Sequence, residues 1–166
     1  CKAGVDSLKI EGRAKTFYYV ASVVSAYRRA LDTFLADPYN DNFELPDAVI
    51  EELNRTSHRH YSPGFYFGKE QAQQTPSHTY VRDWDFIGTV ESWENGIAHC
   101  TQRGKFTAGD SIEILQPDGS VIPLAPAWIE NADGERVDAT PHPMMQYTIP
   151  CETPLMAYSL IRMQKQ

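Results

Sequence analysis

Three charged residues close together form the first group in the sequence that could do chemistry. They are Lys9, Glu11 and Arg13, in the stretch SLKIEGR. A glutamate held beside a lysine and an arginine stays ionised, so it could anchor an anionic substrate complex or act as a base. The alternative is a structural ion pair at the end of a strand, which is a common use of paired charges.

The residues around this group alternate between apolar and charged, which predicts a short strand ending at Gly12. Leu8 and Ile10 share one face of that strand. Lys9 and Glu11 share the other. In a parallel α/β barrel the charged pair would point inward near the carboxyl end of the strand, where such barrels place their active sites.

Two helices are predicted after this strand. The first begins after Thr16, a suitable N-cap, and ends at Asp37-Pro38. Its apolar residues recur at spacings of three and four and define one helix face: Phe17, Val20, Val24, Tyr27, Leu31, Phe34 and Leu35. A second, shorter helix is predicted from Pro46, with apolar positions at Val49, Ile50 and Leu53.

One strand with one crossover helix cannot bury its own two faces. We therefore expect partner strands outside this sequence, and we expect the chain to be the C-terminal part of a longer protein. Residues 1–78 are interpreted as the end of a TIM-like barrel with its helices and a polar linker.

Residues 79–166 have the pattern of an antiparallel β domain. The dipeptides Asn95-Gly96, Asp118-Gly119 and Asp133-Gly134 favour tight two-residue turns. Strands are predicted over 85–92, 97–102, 111–116, 121–129, 135–138, 145–149 and 157–163. Because no helices intervene, this regular spacing suggests a small antiparallel β-barrel. The fold class is thus an α+β fragment.

The charge differs between the two parts. Residues 1–78 carry nine basic and ten acidic residues, whereas residues 79–166 carry six basic and twelve acidic ones. An acidic module has few cations with which to bind a phosphate backbone. This favours a supporting role for the β part, or a protein partner, over direct contact with RNA.

The cysteines and histidines offer weaker candidates for a site. Cys1, Cys100 and Cys151 are widely spaced and form no CxxC pair, which argues against a closed metal site within this chain. Dispersed cysteines fit a reducing, cytoplasmic setting, and no apolar run is long enough to span a membrane. The stretch His58-Arg59-His60 is either half of a metal or phosphate site or a polar helix end.

Aromatic residues form the last group. Residues 65–67 are interpreted as core packing, with base stacking as the alternative. Trp84, Trp93 and Trp128 are interpreted as core or interface anchors, with a binding face as the alternative.

Three stretches of the sequence resemble the C-terminal portion of the U32 peptidase family: GVDSLKIEGRAKTFYYVASVVSAYRRALD, GFYFG and KFTAGDSIEILQPDG. The most similar branch is the collagenase-like proteases, which includes tRNA 5-hydroxyuridine hydroxylation proteins. The resemblance implies a parent protein with a TIM-like barrel followed by a C-terminal β-barrel. It places Lys9, Glu11 and Arg13 at the barrel mouth as candidate catalytic residues.

The resemblance implies two reactions: hydroxylation of the tRNA wobble uridine, or collagenase-like hydrolysis of peptides. The substrate of the full-length parent would accordingly be tRNA or peptide. Family members that act on RNA use an iron–sulfur cluster held by upstream cysteines, and they require prephenate. The three cysteines of this chain do not occupy those positions, so we expect no cofactor in it.

The sequence itself contains no GxSxG, HExxH or Cys–His signature that would support a peptidase. We expect the parent to be an enzyme and the chain alone to be inactive. A third reading is a non-catalytic β-barrel that serves as a binding or scaffold module.

Overall fold

The computed structural model describes residues 4–59, 61 and 80–165, which form two helices and eight strands. The helices are α1 (Phe17–Ala36) and α2 (Asp47–Asn54). The strands are β1 (Trp84–Glu94), β2 (Ile97–Gln102), β3 (Ile112–Leu115), β4 (Val121–Leu124), β5 (Ile129–Asn131), β6 (Arg136–Val137), β7 (Gln146–Pro150) and β8 (Leu160–Gln164).

Both predicted helices are confirmed, together with the residues that bound them. The side chain of Thr16 accepts a hydrogen bond from the backbone N–H of Tyr19, as an N-cap does. α1 ends at Ala36, with Asp37, the residue before a proline, as its C-cap, and α2 begins directly after Pro46. No helix in the described part of the chain is long and apolar enough to cross a membrane.

The strand predicted before Gly12 is not observed, because residues 4–12 form neither a helix nor a paired strand. The partner strands that it needs are expected outside this sequence, so the strand stays a prediction. A lone strand leaves its backbone N–H and C=O groups without partners, and none of the described strands lies beside this segment. Leu8 is 54% exposed. Leu8 and Ile10 instead line a cavity of about 470 Å³ beside Val24 of α1.

The antiparallel β domain is confirmed as one eight-stranded sheet with the order β4-β3-β8-β1-β2-β7-β5-β6. Every pairing is antiparallel. β4 and β6 are its two edges, yet Ile122 and Leu124 of β4 and Val137 of β6 pack on the same core cluster. The sheet therefore curls around a single core.

Two details of the predicted β part need correction. The predicted strand 121–129 is two strands, β4 and β5, separated by a stretch containing Pro126, which has no N–H to donate to a ladder. Asn95 and Gly96 both have positive φ, as a two-residue hairpin turn requires. In the other two predicted turns only Gly119 and Gly134 have positive φ, and longer loops result.

The helices cover the outer face of the sheet at β1, β8 and β3. Tyr18 of α1 forms a second apolar cluster with Leu115 and Leu160, and its ring stacks on Phe86 with 5.3 Å between centroids. Ile161, the neighbour of Leu160, points into the inner core. The central strands are thus buried on both faces, which joins the helices and the sheet into one packed unit.

Candidate functional site

The three residues of the predicted catalytic group lie close together, and their side chains are exposed to solvent. Lys9 Nζ lies 4.0 Å from Glu11 Oε2, and Arg13 Nε lies 3.9 Å from Glu11 Oε1. The three side chains are 87%, 63% and 92% exposed in chain order. Exposed ion pairs of this kind contribute little to stability, so the carboxylate of Glu11 remains accessible to another partner. The catalytic role of these residues stays a prediction.

A second charged group, which the sequence patterns did not reveal, lies between the helices and the sheet. Arg162 of β8 is completely buried. Its Nη1 donates to Glu52 Oε1 at 2.6 Å and its Nη2 donates to Glu52 Oε2 at 2.9 Å. Its Nε donates to Glu113 Oε2 at 3.0 Å. Each of the three guanidinium nitrogens therefore donates to a carboxylate.

Arg55 completes this group, which we call the junction cluster: Glu52, Arg55, Glu113 and Arg162. Arg55 Nη2 donates to Glu113 Oε1 at 3.3 Å, and Arg55 Nη1 lies 3.6 Å from Glu52 Oε2. The two arginines and two glutamates balance in charge. The ring of Trp84 lies 5.2 Å from one guanidinium and 5.4 Å from the other, which adds cation–π contacts.

The contacts of the junction cluster favour the charged form of Arg162. Burial by itself would lower the pKa of Arg162, but its hydrogen bonds to Glu52 and the negative charge of Glu52 raise that pKa above its ordinary value. Because Glu52 and Arg162 are buried and all four charged groups are paired, the cluster has little capacity for a substrate. We interpret it as the junction that holds α2 against β3 and β8. The one sequence signal is an arginine within the apolar run SLIRM.

A groove of about 780 Å³ runs between α1 and the turn from β3 to β4. Phe17, Val20 and Val24 line it, and all three side chains are exposed. The apolar face predicted from their spacing therefore exists, but it is open in the described structure. The face of α1 that is buried consists of Tyr18, Ser22, Val23 and Ala26.

The remaining sequence candidates that the structure describes make other contacts. The ring of His58 stacks on Tyr61, while His60, His78 and residues 65–67 lie outside the described residues. Trp93 packs on the core and its Nε1 donates to the carbonyl of Cys151 at 2.8 Å. Trp128 lies under the guanidinium of Arg136. The interpretation of Trp93 as a core residue is thus confirmed.

The described cysteines do not fit an iron–sulfur cluster, which requires several thiolate ligands. Cys100 and Cys151 are buried within the apolar core, and burial raises the pKa of both thiols. The Cys151 thiol donates to the carbonyl of Thr153. Within the described ranges no three His, Cys, Asp or Glu residues are arranged to hold a metal ion.

Comparison with known proteins places the two parts of the chain in one family. Residues 1–76 match the profile of peptidase family U32, and residues 82–162 match the profile of the peptidase family U32 C-terminal domain. The chain belongs to peptidase family U32. The predicted resemblance is thereby confirmed over nearly the whole sequence.

The relatives of this U32 chain have names that refer to two different activities. The chain is 35% identical over 145 residues to tRNA hydroxylation protein P1 of Bacillus subtilis, covering 85% of this chain and 34% of that protein. It is 34% identical to tRNA hydroxylation protein P of Escherichia coli, covering 84% and 30%. It is 29% identical to a collagenase of Porphyromonas gingivalis, covering 72% and 34%. The chain thus spans about a third of the length of these relatives.

A solved structure is also similar to this U32 chain. It is the C-terminal domain of a Geobacillus thermoleovorans protein described as a U32 peptidase, with a TM-score of 0.45 and 30% identity. The match covers 47% of this chain and 98% of that one.

Proposed function

We propose that this chain is the C-terminal part of a protein that hydroxylates a uridine of tRNA. The observation that carries the proposal is its similarity to two tRNA hydroxylation proteins, at 35% and 34% identity over 145 residues. The similarity to collagenase is lower and shorter, at 29% over 127 residues. Collagenase-like hydrolysis is therefore the second candidate.

Within this proposal the sheet supports the catalytic part rather than performing the reaction. The buried hydrogen bonds between Glu52 and Arg162 support this role, because they attach the sheet firmly to the helices. We propose that Lys9, Glu11 and Arg13 contribute to the active site of the full-length protein. The chain by itself would be inactive. The accessible carboxylate of Glu11 is the group to test first.

The test uses the full-length gene in a bacterial host that lacks its own tRNA-hydroxylating proteins. Hydroxyuridine-derived nucleosides of total tRNA are quantified by mass spectrometry. Wild type is expected to restore them, and Glu11→Ala is expected to abolish the signal. Glu94→Ala is the matched control, because it removes an exposed carboxylate at the turn between β1 and β2.

If wild type restores no hydroxylated nucleoside, the proposed function is wrong, and gelatin hydrolysis by the purified full-length protein tests the collagenase alternative. If wild type and Glu11→Ala restore it equally, the function stands but Glu11 has no catalytic role. Protein abundance is measured in each strain, so that a variant that fails to accumulate is not counted as inactive.

A further inference from the structure

A short backbone pairing connects the segment that ends at Tyr61 with the segment that begins at Tyr80. An isolated antiparallel bridge joins His58 to Val81, with hydrogen bonds of 3.3 and 2.9 Å. In this register Arg59 lies opposite Tyr80, and Arg82 follows on the same face because side chains alternate along extended backbone. The guanidinium of Arg59 accordingly lies 5.3 Å from the centre of the Tyr80 ring.

Two further cations reach the same ring. Arg82 lies 5.7 Å from the ring centre of Tyr80, and Lys15, which precedes α1, lies 5.0 Å from it. The guanidinium of Arg103, which follows β2, lies 5.6 Å from the ring of Phe17 at the start of α1. We call Lys15, Arg59, Tyr80, Arg82 and Arg103 the Tyr80 patch.

The Tyr80 patch is cationic, although the chain as a whole is acidic. The chain has a formal net charge of −7, yet the patch contains four exposed cations, three of them around the ring of Tyr80. Within the described part of the chain, none of the four forms an ion pair with an acidic side chain. The first turn of α1 also lacks an acidic residue, so its positive end adds to the local field. Such a surface favours an anionic partner.

We infer that the Tyr80 patch binds single-stranded RNA, with the cations on phosphates and a base stacked on Tyr80. This inference rests on the proposed function and assigns one surface of the chain to the tRNA substrate. The ring favours RNA over an acidic protein, because Tyr80 is 39% exposed and aromatic rings flanked by cations stack on bases. The Tyr80 patch is a local cationic surface, although residues 79–166 as a whole are net acidic.

The experiment measures binding of the full-length protein to an unmodified tRNA transcript, by fluorescence anisotropy at several salt concentrations. Tyr80→Ala is expected to weaken binding about tenfold, whereas Tyr80→Phe, which keeps the ring, is expected to stay within about twofold. Lys15→Gln and Arg82→Gln are each expected to lower the slope of log K against log salt by about 0.7. Arg136→Gln on the edge strand β6 is the matched control and is expected to leave the slope unchanged.

The outcomes separate this inference from the proposed function. If the wild type binds tRNA and restores hydroxylation while all patch variants bind equally well, the Tyr80 patch is not the RNA surface and the function still stands. If the lysine and arginine variants weaken binding to polyglutamate but not to tRNA, the surface belongs to an acidic protein and the inference is overturned. If the wild type neither binds tRNA nor restores hydroxylation, both proposals are wrong. Circular dichroism of each variant checks that its fold is retained.

Discussion

Two clusters in the described part of the chain pair glutamate with basic residues, in opposite environments. Glu11 meets Lys9 and Arg13 at 3.9–4.0 Å in water, whereas Glu52 meets Arg162 at 2.6 and 2.9 Å with both side chains buried. Attraction between exposed charges is screened and offset by side-chain entropy. A buried charge has no water to replace a lost partner. Burial, rather than spacing in the sequence, therefore decides what each cluster contributes.

Removal of Arg162 tests the buried cluster and carries the largest expected effect. Arg162→Met leaves the buried carboxylate of Glu52 with only the longer contact to Arg55 Nη1 at 3.6 Å, so we expect the free energy of unfolding to fall by about 3–5 kcal/mol. Urea unfolding followed by tryptophan fluorescence measures it. Lys9→Met in the exposed cluster is the control, with an expected change below about 0.5 kcal/mol.

A double-mutant cycle sharpens this first test. Arg162→Met combined with Glu52→Leu removes both buried charges, so the combined loss should be smaller than the sum of the two single losses. Equal losses from Arg162→Met and Lys9→Met would contradict the assignment of the junction cluster as the buried connection between helices and sheet.

The two faces of α1 provide the second test, with a smaller expected effect. Val23 is 6% exposed and Val24 is 46% exposed, although the two residues are adjacent. We expect Val23→Ala to lower the free energy of unfolding of the chain by about 2 kcal/mol and Val24→Ala by less than about 0.5 kcal/mol. The reverse order would mean that the predicted apolar face, and not the observed one, packs on the sheet.

The exposed cluster itself gives the smallest expected effect on stability. Glu11→Gln should change the free energy of unfolding of the chain by less than about 0.5 kcal/mol, and added salt should reduce the difference further. A loss of several kcal/mol, insensitive to salt, would show that Glu11 is a structural residue and would remove the reason to assign it a catalytic role.

Local features of the fold were predictable from the sequence. Thr16, Pro38 and Pro46 bound the two helices because capping and proline geometry act within a few residues. The turn at Asn95-Gly96 was predictable for the same reason, since both residues tolerate positive φ. The contacts of Glu11 with Lys9 and Arg13 also arise between near neighbours.

Other features depend on residues that are distant in sequence. The strand before Gly12 was predicted from alternation alone, but a strand forms only where another strand pairs with it. The junction cluster joins residues 110 positions apart, Glu52 and Arg162, and no local pattern connects them. The Tyr80 patch likewise brings Lys15 together with Arg59 and Arg82 at one ring, and the backbone pairing of His58 with Val81 places Arg59 beside Arg82.

The sequence by itself determined the two helices, the antiparallel character of residues 79–166 and the family, because each of these depends on local propensity or on a continuous motif. Only the tertiary structure decided which face of α1 is buried and which charged cluster is buried away from solvent. The apolar residues of α1 lie on both of its sides, and Tyr18 and Val23 reach the sheet while Val24 does not. That choice follows from the shape and charge of the surface formed by β1, β3 and β8, which exists only after the sheet has folded.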